Sequence, residues 1–316
     1  MGTVITIDCN YVAQELACAY LICEGDRAAF VENNTSHALP LLMKALKEHG
    51  YTPEQVEYAI ITHVHLDHAG GSGSLMKLCP NATLLAHPKA ARHVIDPSRL
   101  IASAQKVYGE EVFAKLYGEI LPVPEARVRI MEDNEALQFG SRLLKFIHTR
   151  GHANHHFCVH DSKSNGIFTG DSFGIAYPVL QKHGSFLFPS TTPTEFDPAE
   201  ARVTLEKITG TGATHAYLTH FGSFSEMAAG RSQLESGIEA FESILDACAV
   251  RVETGSELAK VAELEVRNYF KLKAPWLGDK DWKFLEMDIE LNAAGIAFAA
   301  ERLRKTRTLA NTDSNR

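Results

Sequence analysis

Four candidate metal-ligand residues crowd the segment Thr62-His63-Val64-His65-Leu66-Asp67-His68, and this crowding constrains the fold more than any other feature of the chain. The segment follows directly on the apolar run Tyr58-Ala59-Ile60-Ile61. A strand that ends there delivers the polar groups together into one crevice. Residues two apart on an extended backbone point the same way, so His63 and His65 can reach one metal while Asp67 and His68 turn toward a second. Three more candidates lie far downstream, each near the end of another strand-like run: His152 in R-G-H-A-N-H, Asp171 in F-T-G-D-S and His220 in Y-L-T-H-F-G. Imidazole nitrogens and carboxylate oxygens suit zinc, iron or manganese. A carboxylate carries two oxygens and bridges naturally, which makes Asp171 the bridging candidate. The expectation is a centre of two divalent metal ions, zinc first among them, with iron or manganese possible.

The rest of the chain reads as α/β. Val4 to Val31 suits early strands, and Ala38 to His49 has helical spacing stopped by Gly50. Thr52-Pro53-Glu54-Gln55 carries a capping box and predicts a helix feeding a strand over Ala59 to Thr62. A short helix around Leu75 to Leu78 and a strand from Thr83 to Ala86 follow. Pro88 to Tyr117 reads as a helical insertion, broken at Asp96-Pro97, that overhangs the metal cleft. Further strands are predicted at Arg142 to His148, Phe157 to His160, Gly166 to Phe168 and His215 to Thr219. Asp197-Pro198-Ala199-Glu200 starts a helix. From Phe224 strand signals fade, and three amphipathic helical stretches are predicted: Phe224 to Val250, Ser256 to Lys271 and Asp281 to Leu303. Trp276 and Trp282 are read as packing residues between these helices and the main domain.

Bulk properties exclude several classes. The 316 residues are 45% hydrophobic and carry a formal net charge of −8, which gives no support for a nucleic-acid surface. No apolar run is long enough to span a bilayer, so no membrane partner is expected. Six cysteines without a C-x-x-C pair read as buried free thiols in a reducing compartment, and a cytoplasmic location is the default. The Gly70-Gly71-Ser72-Gly73 run lacks the spacing and lysine of a phosphate loop. Of the surplus histidines, His155 and His156 are candidates for shaping a substrate pocket, whereas His148 and His160 read as structural. An apolar side of the terminal helices could support a homodimer.

With its T-H-x-H-x-D-H block and downstream G-H, G-D and T-H elements, the chain resembles the metallo-β-lactamase-fold superfamily over roughly residues 1 to 225. The resemblance implies an αβ/βα four-layer sandwich, two mixed sheets face to face, with metals at one edge. It implies a domain at 1–225 with a helical insertion at about 88–120, followed by a helical C-terminal region at 226–316. By motif, His63, His65 and His152 resemble the ligands of the first metal; Asp67, His68 and His220 resemble those of the second, with Asp171 shared. The implied activity is hydrolysis of a small-molecule ester, thioester or lactone by a hydroxide held between the metals. Asp67 then also orients the nucleophile, and Tyr177 is the candidate oxyanion donor. The segment Ser172 to Tyr177 lacks the basic residues that glyoxalase II-like enzymes use on glutathione. Two other readings are an iron-dependent oxygen or sulfur redox enzyme and a non-enzymatic, metal-stabilised ligand-binding protein.

Overall fold

The structure, a computed structural model, describes residues 3–192 and 194–313. The strand Cys18–Glu24 is buried at every position, which requires cover on both faces. It belongs to a six-stranded sheet in the order β1 (Thr3–Asp8), β2 (Cys18–Glu24), β3 (Arg27–Val31), β4 (Val56–Ile60), β5 (Thr83–Ala86), β6 (Val128–Ile130). The first three strands pair antiparallel and β3 to β6 pair parallel. A second six-stranded sheet contains β7 (Ala136–Phe139), β8 (Arg142–Thr149), β9 (His156–Asp161), β10 (Gly166–Gly170), β11 (His215–Leu218) and β12 (Gly222–Phe224). Its pairs are antiparallel except for β10 with β11.

Period-two alternation builds the layers. Tyr20, Ile22, Val31 and Ile60 face inward against Phe146, Phe157, Val159 and Phe168 of the other sheet. Their neighbours Leu21, Phe30 and Ala59 face outward. Between β3 and β6 the chain forms α1 (Leu39–Glu48), the single turn α2 (Leu66–Ala69), α3 (Ser72–Leu78), α4 (Pro88–Ile95), α5 (Ser98–Tyr108) and α6 (Glu110–Tyr117). Leu42 and Leu46 of α1, with Leu75 and Met76 of α3, cover the outer face of the first sheet. On the second sheet, Leu205 and Ile208 of α7 (Pro198–Gly210) cover Ile147, Ile167 and Leu218. This is the four-layer αβ/βα sandwich expected.

The C-terminal region comprises α8 (Met227–Ala249), α9 (Gly255–Lys273), α10 (Asp279–Phe284) and α11 (Glu286–Asp313). Phe241, Val266, Phe270, Ile289 and Ile296 share one core with Leu16, Ile175 and Phe188 of the sandwich, so the helices are packed on it through apolar side chains. Trp282 packs against that core, and Trp276 lies edge-on to Phe186. All six cysteines are buried free thiols. Among the described residues, no helix is long and apolar enough to cross a membrane.

Two local expectations need correction. The capping box at Thr52 forms, yet it closes only a three-residue 3₁₀ turn, Pro53–Gln55. Pairing of Val56 with Ala28 demands extended backbone immediately afterwards, so tertiary pairing stops the helix. The third terminal stretch is two helices, because Leu285, fully buried, ends α10 and lets the chain redirect into α11. The short strands β6, β7 and β12 also escaped the sequence reading, being three or four residues long.

At the end of the sandwich opposite the histidine block, Arg142 of β8 is fully buried between the sheets. Its Nε donates to Glu24 of β2 (3.0 Å), and its guanidinium also binds Asp161 of β9. The ammonium of Lys163 shares Glu24 (2.9 Å). Replacing Arg142 by Met removes the one guanidinium that joins Glu24 to Asp161 across the sheets and is expected to lower stability by about 3–5 kcal/mol, measured by denaturant unfolding.

Candidate metal centre

Strand ends place every candidate ligand. The chain leaves β4 to present His63, which is fully buried, then His65 at the start of α2, with Asp67 and His68 on that turn. The ends of β8, β10 and β11 lead into His152, Asp171 and His220. All arrive at one edge of the sandwich, where crevices form beyond the carboxyl ends of parallel strands. Glycine is required twice. A Cβ on Gly151 would lie 2.3 Å from the Ala201 backbone nitrogen of α7, and one on Gly170 would lie 2.4 Å from Thr62 Oγ1. Both glycines have positive φ, +102° and +49°, and each immediately precedes a candidate ligand.

The seven side chains expected from the sequence converge. Donor atoms of His63, His65 and His152 lie within 4.8 Å of one another, as do those of Asp67, His68 and His220. These two clusters are close enough to chelate metal ions. Asp171 stands between them. Its Oδ2 is 3.4 Å from His152 Nε2, and its Oδ1 is 3.2 Å from His68 Nε2 and 3.6 Å from His220 Nε2.

The outer ring nitrogens are tied down, which fixes what the inner ones can do. His152 Nδ1 donates to the Ser190 carbonyl (3.1 Å) and His220 Nδ1 to the Leu16 carbonyl (2.8 Å). His68 Nδ1 donates to Glu32 (3.3 Å). The Thr62 hydroxyl gives its proton to Glu32, so His63 Nδ1 donates to that hydroxyl (3.1 Å). In the neutral rings the Nε2 atoms therefore carry lone pairs. Those of His63 and His152 face His65 Nδ1 at 2.8 and 3.2 Å. His68 Nε2 and Asp171 Oδ1 are buried and make no hydrogen bond at all. Buried lone pairs turned on one another are stabilised by a cation, so the donor set fits metal ions.

Glu32 was not anticipated, although an acid closing the apolar strand Ala28–Val31 was a usable signal. It too forms a close group with His63 and His68. Its contacts with Thr62 and the outer nitrogen of His68 assign it to orienting ligands, since taking a metal there would leave His68 Nε2 unused. Glu32 and Asn34 hold positive φ (+63° and +55°), a strained turn at the site. That turn lets the backbone N–H groups of Asn33 and Asn34 both donate to the His68 carbonyl at 3.0 Å.

Charge separates the two clusters. Burial, reinforced by neighbouring histidines, holds His63 and His65 well below the usual histidine range. Burial also lowers His152, partly offset by Asp171. Burial opposes charge on His68 and His220 as well, but Asp171 and Asp67 outweigh it; His68 is held well above its ordinary value and His220 is pushed up to about 9. Correspondingly, burial would raise Asp67 and Asp171, yet the histidines hold both below the usual carboxylate range.

A cleft of about 310 Å³ opens over the clusters, reached by His65, Asp67, His152, Asp171 and His220. Leu100, Leu116 and Tyr117 of the helical insertion form one wall, as the sequence suggested. Met287, Asp288 and Leu291 of α11 form another, which it did not. Asp288 is buried, and burial pushes its carboxyl up to about 7. Tyr177 lines the cleft, but its hydroxyl donates to Asp288 Oδ1 at 3.0 Å. The one proton it could offer an oxyanion is thus already engaged. Neither His155 nor His156 lines this cleft. His156 is buried behind His63, bonded to Thr149 (2.7 Å), and His155 stacks on the His63 ring beside Glu195. His148 bonds the Met131 carbonyl and His160 the Asn165 side chain, structural roles in keeping with the sequence reading.

An αβ/βα sandwich with paired histidine and aspartate clusters at one edge defines a class of metal-binding proteins. The chain belongs to the Metallo-beta-lactamase superfamily, whose family description it matches over residues 19–220. Among curated relatives, the metallo-beta-lactamase fold-containing protein ST1585 of Sulfurisphaera tokodaii is 25% identical over 183 residues, 57% of this chain and 63% of that protein. The match therefore spans less than two thirds of that relative. The crystal structure of ST1585 superposes with a TM-score of 0.65 at 20% identity, covering 93% of this chain and 97% of that one. The metallo-beta-lactamase family protein TTHA1429 from Thermus thermophilus superposes equally well, TM-score 0.65 at 19% identity, covering 96% and 93%. At these identities the likeness establishes the fold, terminal helices included.

Protonated His220 stabilises the metal-free protein fully below the unfolded histidine value of 6.5, and that contribution is lost as pH rises toward about 9. His68 shifts in the same direction. Chelator-treated protein is therefore expected to lose melting temperature between those pH values, and His220→Ala to flatten the loss. Protein loaded with zinc should not show it, because binding needs the deprotonated rings. Thermal scans across this pH window check the prediction.

Proposed function

We propose that this protein is a dinuclear metal-dependent hydrolase acting on a small ester, thioester or lactone. The observation that carries this reading is Asp171, with one carboxylate oxygen turned toward each ligand cluster. In the proposal His63, His65 and His152 hold one ion; Asp67, His68 and His220 hold the other; and Asp171 is shared. A histidine and carboxylate set of this kind suits zinc, with iron or manganese as alternatives. Two such ions together lower the pKa of water and polarise a carbonyl, supplying nucleophile and electrophile at neutral pH.

The chain's own residues supply position. Glu32, Thr62, Ser190 and the Leu16 carbonyl keep the imidazoles in one tautomer and one orientation. Asp67 is the more exposed of the two carboxylates, 25% against 7%, and is free to orient an attacking water from the cleft side. A cleft of about 310 Å³ whose walls include Leu16, Leu66, Leu100, Leu116 and Leu291 suits a small, partly apolar ligand. The net charge of −8 argues in the same direction against a polyanionic substrate.

Two experiments test the proposal. Elemental analysis of protein purified without added metal is expected to find two ions per chain, falling toward one in His220→Ala; a single iron per chain in the parent protein would overturn it. Asp67→Asn, with metal retained, is expected to lower kcat on simple thioesters or lactones by about 10²–10⁴-fold, the range for loss of a positioned acid–base group.

Tyr177→Phe separates two parts for that residue. Direct oxyanion donation predicts a fall in kcat of about 10²–10³-fold. A hydroxyl that serves to hold Asp288 predicts a change mainly in KM. The bond to Asp288 favours the second outcome.

A further inference from the structure

We infer that α11 builds a substrate-recognition subsite into the metal cleft, with Asp288 as the acceptor for a hydrogen-bond donor, a hydroxyl or an amine, carried on the apolar body of the substrate. This rests on the hydrolase reading for the word substrate, but the subsite itself rests on geometry.

Asp288 is 5% exposed and lines the cleft beside Met287 and Leu291. One oxygen, Oδ1, accepts the Tyr177 hydroxyl. The other, Oδ2, is buried with no hydrogen-bond partner. An unpartnered buried carboxyl oxygen is costly and calls for a reason. A ligand donor entering the cleft supplies one.

The subsite is also locked to the metal centre. One turn along α11, Asn292 Oδ1 accepts the Thr191 backbone N–H (2.8 Å), and its carbonyl accepts the Thr191 hydroxyl (3.0 Å). Ser190, next in the chain, binds His152 through its carbonyl and Asp171 through its hydroxyl (3.3 Å). The same short loop therefore holds the ligands at one end and α11 at the other. Gly295 belongs to this contact, since a Cβ there would lie 2.4 Å from Thr191 Oγ1. A group bound at Asp288 is thereby held at a set distance from the ligand clusters, which is what selecting among small esters requires.

The test uses the zinc-loaded full chain and aliphatic hydroxamic acids, whose head groups chelate metal and whose tails, in a series of increasing length, end in methyl, hydroxyl or ammonium. Calorimetry reads binding without turnover. At one tail length the donor-ended probes are expected to bind at least about tenfold more tightly than the methyl-ended one, as a hydrogen bond to a carboxylate implies. Asp288→Leu is expected to abolish that ratio while the methyl-ended probe still binds. Should that variant fail to fold, the near-isosteric Asp288→Asn is expected to reduce the ammonium preference to the level of hydroxyl. Equal affinity for all tails in the parent protein, or a preference that survives both substitutions, overturns the inference. Ester turnover without tail preference sinks the subsite and leaves the hydrolase standing; tail preference without turnover does the reverse. No binding by any probe counts against both.

Discussion

The structure depends on bringing unshared electron pairs together at the floor of a largely buried crevice. His63, His65, His68, His152 and His220 turn ring nitrogens, and Asp67 and Asp171 turn oxygens, into one crevice at the edge of two sheets. In an apolar surrounding such an array repels itself unless protons or cations stand between its members. Nearly every polar contact behind it keeps the array in place. Glu32, Thr62, Ser190 and the Leu16 carbonyl take up the outer ring nitrogens, and the Asn33-Asn34 turn clamps the His68 backbone. With one proton committed outward, each neutral ring presents an acceptor inward, while His68 and His220, when protonated, turn an N–H on Asp171 and Asp67 instead. The local chemistry is thus set by residues that are not themselves candidate ligands.

Around this centre the fold divides its labour. The sandwich supplies rigidity through the aromatic layer between the sheets and the buried Arg142 network at the far end. The helical insertion and α11 supply the walls of the cleft. Stiffness at the ligands and variable cover above them is a physically sensible arrangement. Metal geometry tolerates small errors poorly, whereas substrate choice depends on shape and a few polar groups. Asp288 lies in that cover, standing on a terminal helix yet tied through Asn292 and Thr191 to the loop that orients His152.

Much of this was legible in the residues. The block from His63 to His68 follows an apolar strand, and His152, Asp171 and His220 sit at comparable strand ends, so periodicity placed seven side chains at strand ends, and the family resemblance implied that those ends share one edge. The helix starting at Asp197 and the strand at Thr83–Ala86 were equally clear, because caps and alternation agreed there. Thr52 misled because its capping box is real while the pairing of Val56 with Ala28 overrides continuation of the helix. Tyr177 is the candidate oxyanion donor by sequence, but nothing local signals that its hydroxyl reaches Asp288, 111 residues away. Glu32 was overlooked for a similar reason, since its partners Thr62 and His68 come from the following strand end.

The amino-acid order by itself determined which chemical groups are available and which strand ends carry them, because spacing within an element dictates the face each side chain occupies. Only the tertiary structure decided which nitrogen of each ring turns inward, that Glu32 takes up the outer nitrogen of His68, and that α11 closes the cleft with Asp288. Those outcomes depend on how elements distant in the chain dock. Docking is governed by the volume and shape of packed side chains such as Leu16, Ile175 and Ile289, which no local pattern encodes.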